Sequence, residues 1–203
     1  MIKAVIFDSD GMLLYGTRFS DVYSREFNVP LSEMNPFFEG PFKKCVLGKA
    51  DLKEELQKGW LERWKWDKAA DELLAYWFKT GAKSHTEIFK DVKEIRARGI
   101  LCLIATNQEK HRISHLSKKF SYDRIFNAVF ASWSVGYKKT EPEFLDAIMK
   151  YLKDEDASLE KENVLFWDDK AEHIESIKKY GMQTALFTDV PAYKETMKSF
   201  NLL

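Results

Sequence analysis

Five short, largely apolar runs constrain this fold more than any other feature: Ala4–Phe7, Ile100–Ala105, Ala128–Ala131, Val164–Trp167 and Thr184–Phe187. A strand with one wet face alternates polar and apolar residues. A run that does not alternate reads as a strand covered on both faces, as in a parallel sheet. Between the later runs the apolar spacing changes to that of helices. Thr86–Arg98 carries Ile88, Phe89, Val92 and Ile95, with Gly99 placed to stop it. Glu141–Leu152 carries Phe144, Leu145, Ile148 and Leu152, and Ala171–Tyr180 carries Ile174 and Ile177 before Gly181. Alternating strand and helix predicts right-handed βαβ units and a mostly parallel sheet with helices on both faces.

The rhythm breaks after the first run. From Tyr15 to about Lys83 no strand is expected, and helical stretches follow at about Thr17–Phe27, Lys49–Trp60 and Asp67–Phe78. This is far longer than an ordinary βα connection. It holds Trp60, Trp64, Trp66 and Trp77, four of the six tryptophans. Such aromatic density predicts a small helical unit with its own core, the tryptophans serving as packing. The chain divides into an α/β core of residues 1–14 and 84–203 and a helical insert of residues 15–83.

The 203 residues suffice for a real core, and 45% hydrophobic with 32% charged residues describes a soluble globular protein. The 32 basic and 32 acidic side chains cancel, so no net field favours nucleic acid or an anionic membrane. The two cysteines, Cys45 and Cys102, make neither a disulfide framework nor a zinc spacing. No apolar stretch approaches the roughly 20 residues that span a bilayer, and the N-terminus has no signal-peptide pattern. The expected setting is the cytoplasm.

Polar residues that can carry chemistry stand where the runs end. Asp8-Ser9-Asp10-Gly11 follows the first, Thr106-Asn107 the second and Asp168-Asp169 the fourth; Gly136-Tyr137-Lys138-Lys139 precedes a helix with Pro142 near its start. Parallel strands deliver their carboxyl ends to one edge of the sheet, where open α/β folds bind ligands. Each group also has a plain reading. Asp, Ser and Gly are common in turns; Thr106-Asn107 and Asp168-Asp169 can cap the helices that follow them; a lysine pair can be solvated. His111, His115 and His173 fall in no ligand spacing and read as surface residues.

Taken in order, these four motifs resemble those of the haloacid dehalogenase-like hydrolase superfamily, over residues 1–14 and 84–203. The resemblance implies a Rossmann-like core, and the insert looks like the helical cap domain of the phosphatase-like branch. It further implies Mg²⁺ held by Asp8, Asp168, Asp169 and the backbone carbonyl of Asp10. Asp8 would attack phosphorus to form an aspartyl-phosphate, and Asp10 would move the proton. Thr106, Asn107 and Lys139 would bind phosphate. The chemistry is coherent, because a phosphate monoester is an anion whose charge must be offset before a carboxylate can approach. Two positions depart from the family pattern. Met12 stands where a threonine is common, and Thr140 follows Lys139 where proline is common, although Pro142 is retained; the Gly-x-x-Lys count favours Lys139 over Lys138.

The expected activity is Mg²⁺-dependent hydrolysis of a small phosphorylated metabolite. The alternatives are a 2-haloacid dehalogenase, a phosphomutase, or a non-catalytic binding protein with this fold. Dehalogenation needs no second acid, so Asp10 argues against it, and a binding protein would be expected to lose one or more acids. Substrate choice is assigned to the insert, with Tyr15, Arg18, Phe42, Lys43 and Lys44 as candidate contacts.

Overall fold

The computed structural model describes residues 1–80 and 82–203. Five parallel strands form the main sheet: β1 (Ala4–Phe7), β4 (Leu101–Thr106), β5 (Ala128–Ala131), β6 (Val164–Asp168) and β7 (Gln183–Leu186), in the order β5-β4-β1-β6-β7. β1 lies at the centre, paired with β4 on one side and β6 on the other, and all four of its residues are buried. The chain builds outward from β1 to β5, then crosses to β6 and continues to β7. The order therefore reverses beside β1, which is where such sheets open a crevice at their carboxyl ends.

Side chains of the central strands alternate between two cores, as the pleat requires. Val5, Phe7, Ile104 and Trp167 pack against the helices Thr86–Ala97, Lys110–Phe120 and Val190–Ser199. Ala4, Ile6, Leu103 and Phe166 pack against Pro142–Glu155 and Ala171–Tyr180. The apolar runs lack alternation because both faces are covered. The architecture is a Rossmann-like α/β fold.

The insert differs from expectation in two respects. Its ends form a short antiparallel pair, β2 (Leu14–Tyr15) with β3 (Lys83–Ser84), in a segment where no strand was expected. Two residues per strand are too few to display a period. Among the described residues the insert also has six helices: Phe19–Phe27, Leu31–Glu39, Pro41–Val46, Leu52–Gln57, Trp60–Arg63 and Ala70–Lys79. Pro36 lies inside the second and Gly40 separates it from the third, which hides both from a periodicity reading. The tryptophans do pack: Trp64 is fully buried, Trp77 nearly so, and Trp60 and Trp66 lie partly buried against the same cluster.

The insert docks on the core through polar contacts near the crevice. Ser132 Oγ donates to the Val46 carbonyl at 2.7 Å. His111 Nε2 lies 2.8 Å from Asp51 Oδ2. Gly48, at φ +67°, passes so close to Trp133 that a Cβ would stand 2.1 Å from the Trp133 carbonyl oxygen.

Candidate active site

β1 ends at Phe7, and the next residue, Asp8, is buried with its amide bonded to the Trp167 carbonyl at 3.0 Å. Its carboxylate accepts from the Ser9 amide at 2.7 Å. A tight turn follows, with Leu14 N–H donating to the Ser9 carbonyl and Gly11 N–H to the Leu14 carbonyl, both at 2.8 Å. Gly11 has φ +93°, and a Cβ there would meet Asp169 Oδ2 at 2.2 Å. Only glycine lets this turn approach the acidic pair at the end of β6.

Lys139 joins the two strand ends. It is 2% exposed, whereas Lys138 is exposed to solvent. Its Nζ lies 2.7 Å from Asp8 Oδ2 and 2.7 Å from Asp168 Oδ2. Its backbone N–H donates to Asn107 Oδ1 at 2.9 Å, so the residue after β4 fixes the loop that delivers the lysine. Burial opposes the charge on Lys139, but Asp8 and Asp168 outweigh it and raise its pKa. Burial likewise opposes ionisation of Asp168; a hydrogen bond from His173 and the charge of Lys139 hold its carboxyl below the usual range. Asp8 shifts the other way. Burial pushes it up to about 7 against the pull of Lys139, with Asp168 and Asp169 repelling its charge. One ammonium among three carboxylates leaves the cluster short of positive charge.

A divalent cation suits that deficit. Asp8, Asp168 and Asp169 each offer an oxygen within 4.8 Å of the others. Asp169 Oδ1 is buried with no hydrogen-bond partner. Hard oxygen donors with an orphaned buried carboxylate oxygen fit a Mg²⁺-type ion. The Asp10 carboxylate is not part of this cluster.

Asp10 points elsewhere. Its side chain is 40% exposed and is gripped by Arg112, whose Nη2 lies 2.7 Å from Oδ1 and whose Nη1 bonds Oδ2. Gln108 Nε2 donates to the same Oδ2. Burial opposes the Arg112 charge, but Asp10 outweighs it and raises the guanidinium pKa. Asp10, Gly11, Leu14, Asn107, Gln108 and Arg112 line a cavity of about 780 Å³ together with residues of the insert. Tyr15, Arg18 and Phe42 line this cavity, whereas Lys43 and Lys44 are exposed outside it.

Thr106 closes β4 and is buried at the strand end. Neither it nor Asn107 caps the following helix: that helix starts at Lys110, and Glu109 accepts from the amides of His111 and Arg112. Nor does the acidic pair cap the helix after β6, whose cap position is Lys170, although Asp168 Oδ1 accepts from the Lys170 amide at 3.0 Å. His173 is a correction to the sequence reading. It is partly buried, with Nδ1 3.0 Å from Asp168 Oδ1. Its signal was present: it lies five residues after Asp168, on the first turn of the helix that follows. Arg112 and Gln108 were missed, because their partner Asp10 is remote in sequence.

Comparison with known proteins agrees with this geometry. The family model for haloacid dehalogenase-like hydrolases matches residues 2–181. No curated protein matches the sequence. Among solved structures, the fold is similar to a HAD family enzyme from Bacteroides thetaiotaomicron, 17% identical, covering 97% of this chain and 98% of that one, with a TM-score of 0.80. A wild-type structure of that enzyme in complex with magnesium and inorganic phosphate is 18% identical over 93% of this chain and 95% of its own, with a TM-score of 0.74. The L-2-haloacid dehalogenase from Xanthobacter autotrophicus, with chloropropionic acid covalently bound, is 16% identical over 100% of this chain and 85% of its own, with a TM-score of 0.62. The family match spans the insert and all four strand-end motifs, and this chain belongs to the haloacid dehalogenase-like hydrolases.

Proposed function

We propose that this hydrolase is a phosphatase acting on a small phosphorylated metabolite, with Asp8 as nucleophile. The supporting observation is the unequal surroundings of two acids one residue apart. Asp8 sits in the buried carboxylate cluster beside Lys139, and Asp10 sits on the cavity wall. A dehalogenase would have no work for the second acid.

Asp8, Asp168, Asp169 and the Asp10 carbonyl would hold Mg²⁺, which when bound offsets phosphate charge. Lys139 adds a fixed positive charge beside Asp8, and Thr106 and Asn107 supply hydrogen bonds to the phosphoryl oxygens. An Asp8 oxygen attacks phosphorus, and the ester P–O bond breaks. Asp10 in its protonated form gives that proton to the leaving oxygen, and the Arg112 guanidinium pairs with the carboxylate that remains. Asp10 then takes a proton from water as that water attacks the phosphorus of the aspartyl-phosphate, releasing inorganic phosphate and restoring Asp8. Residues 1–14 and 84–203 act as the core domain and residues 15–83 as a cap that excludes water from this step. The buried free thiols Cys45 and Cys102 suit a cytoplasmic setting.

A panel of phosphorylated metabolites and 2-haloacids, assayed with Mg²⁺ and with EDTA, tests the proposal. It expects phosphate release that EDTA abolishes. Halide release, or undiminished phosphate release in EDTA, would contradict it.

A further inference from the structure

We infer that the substrate's leaving group carries a flat heteroaromatic ring, as in a nucleoside monophosphate, rather than a bare polyol. The inference rests on the phosphatase reading for where the phosphate sits. A cavity of about 780 Å³ has room for much more than a phosphoryl group. Asp10 and Arg112 line it together with Asn107 and Gln108 from the core, and the insert contributes Phe19, Phe38, Phe42 and Trp77.

These four rings form one preassembled surface. Phe19 stacks on Trp77 at 4.3 Å with an interplanar angle of 14°. Phe38 and Phe42 each lie 5.6 Å from Trp77, and 5.5 Å from one another. Phe38 and Phe42 remain only partly buried while lining the cavity. A sugar hydroxyl pressed against such a wall loses water without gaining a partner. A flat ring covers it by stacking. Arg18, Asn35 and Glu39 also line the cavity and offer donors and acceptors to a polar ring edge.

The test holds the leaving oxygen constant and varies the ring. Nucleoside 5′-monophosphates are compared with ribose 5-phosphate, and phenylpropyl phosphate with propyl phosphate, by kcat/KM in Mg²⁺. Binding of the same compounds to D8N with Mg²⁺ is measured by calorimetry. The ring-bearing member of each pair should be preferred by about tenfold or more, the nucleotide pair showing the larger ratio. F42A should bring these ratios down toward one, and F42L, which keeps the wall packed, should do so less. Equal or better turnover and binding of the ring-free compounds would overturn the inference. Preferential binding of ring-bearing compounds without hydrolysis of any phosphate would support ring recognition and sink the phosphatase reading instead.

Discussion

Arg112 holds both carboxylate oxygens of Asp10, with Nη2 2.7 Å from Oδ1, although 102 positions separate the two residues. A forked guanidinium fixes a carboxylate in direction as well as distance. In R112A the Asp10 side chain loses that anchor while Asp8 and its cluster are untouched. Alkyl phosphates, whose leaving oxygen needs a proton, should lose roughly tenfold to a hundredfold in kcat/KM. Nitrophenyl phosphate, with a leaving group that departs unprotonated, should lose much less. A uniform loss across leaving groups would show that Arg112 has only a structural role.

Lys139 answers two buried carboxylates at once. Removing one partner from a buried ionic cluster costs on the order of 3–5 kcal/mol. K139M should therefore melt well below the wild type. Mg²⁺ should raise its melting temperature by more than it raises that of the wild type, because the cation then replaces the positive charge that Lys139 supplied. Thermal unfolding with and without Mg²⁺ measures both effects.

Gly11 leaves no space for a side chain beside Asp169. G11A combines left-handed strain with a displaced carboxylate and should cost about 1–3 kcal/mol. Its distinguishing mark is a Mg²⁺ titration: the stabilisation by the cation should shrink along with activity.

The Asp51–His111 contact joins the insert to the helix that carries Arg112. Partial burial opposes the Asp51 charge, but a hydrogen bond from His111 and the Lys53 amide outweigh it and hold the carboxyl below its usual range. A carboxyl depressed in the folded state contributes stability above its unfolded pKa of about 4, and that contribution disappears as pH falls through the folded value. D51N should thus lower the stability above about pH 4 by no more than about 1 kcal/mol, seen as a lower melting temperature, and converge with the wild type at lower pH. Melting curves across that range would show the convergence.

The sheet was legible because β1, β4 and β6 are buried on both faces, which leaves runs such as Ala4–Phe7 without a polar break. Glycine stops were legible too: Gly99 and Gly181 end their helices at positive φ. The acids were legible by position, since parallel strands share an edge. What escaped was fixed by contacts remote in sequence. The helix Leu31–Glu39 forms around Pro36 because the insert's aromatic core buries Met34 and Phe37. Arg112 sits on a helix that also carries Lys110, His111, His115, Lys118 and Lys119, where one more basic residue carries no signal. His173 gains its role only when the turn after β6 brings it back onto Asp168.

An acid-quenched single turnover with phosphorus-labelled substrate reports whether Asp8 is the nucleophile. In the presence of Mg²⁺ the label should be recovered covalently on the Asp8 peptide of the wild type and be absent from D8N, which should also release no phosphate. Phosphate release at the full rate with no label on Asp8, or by D8N, would rule out Asp8 as the nucleophile.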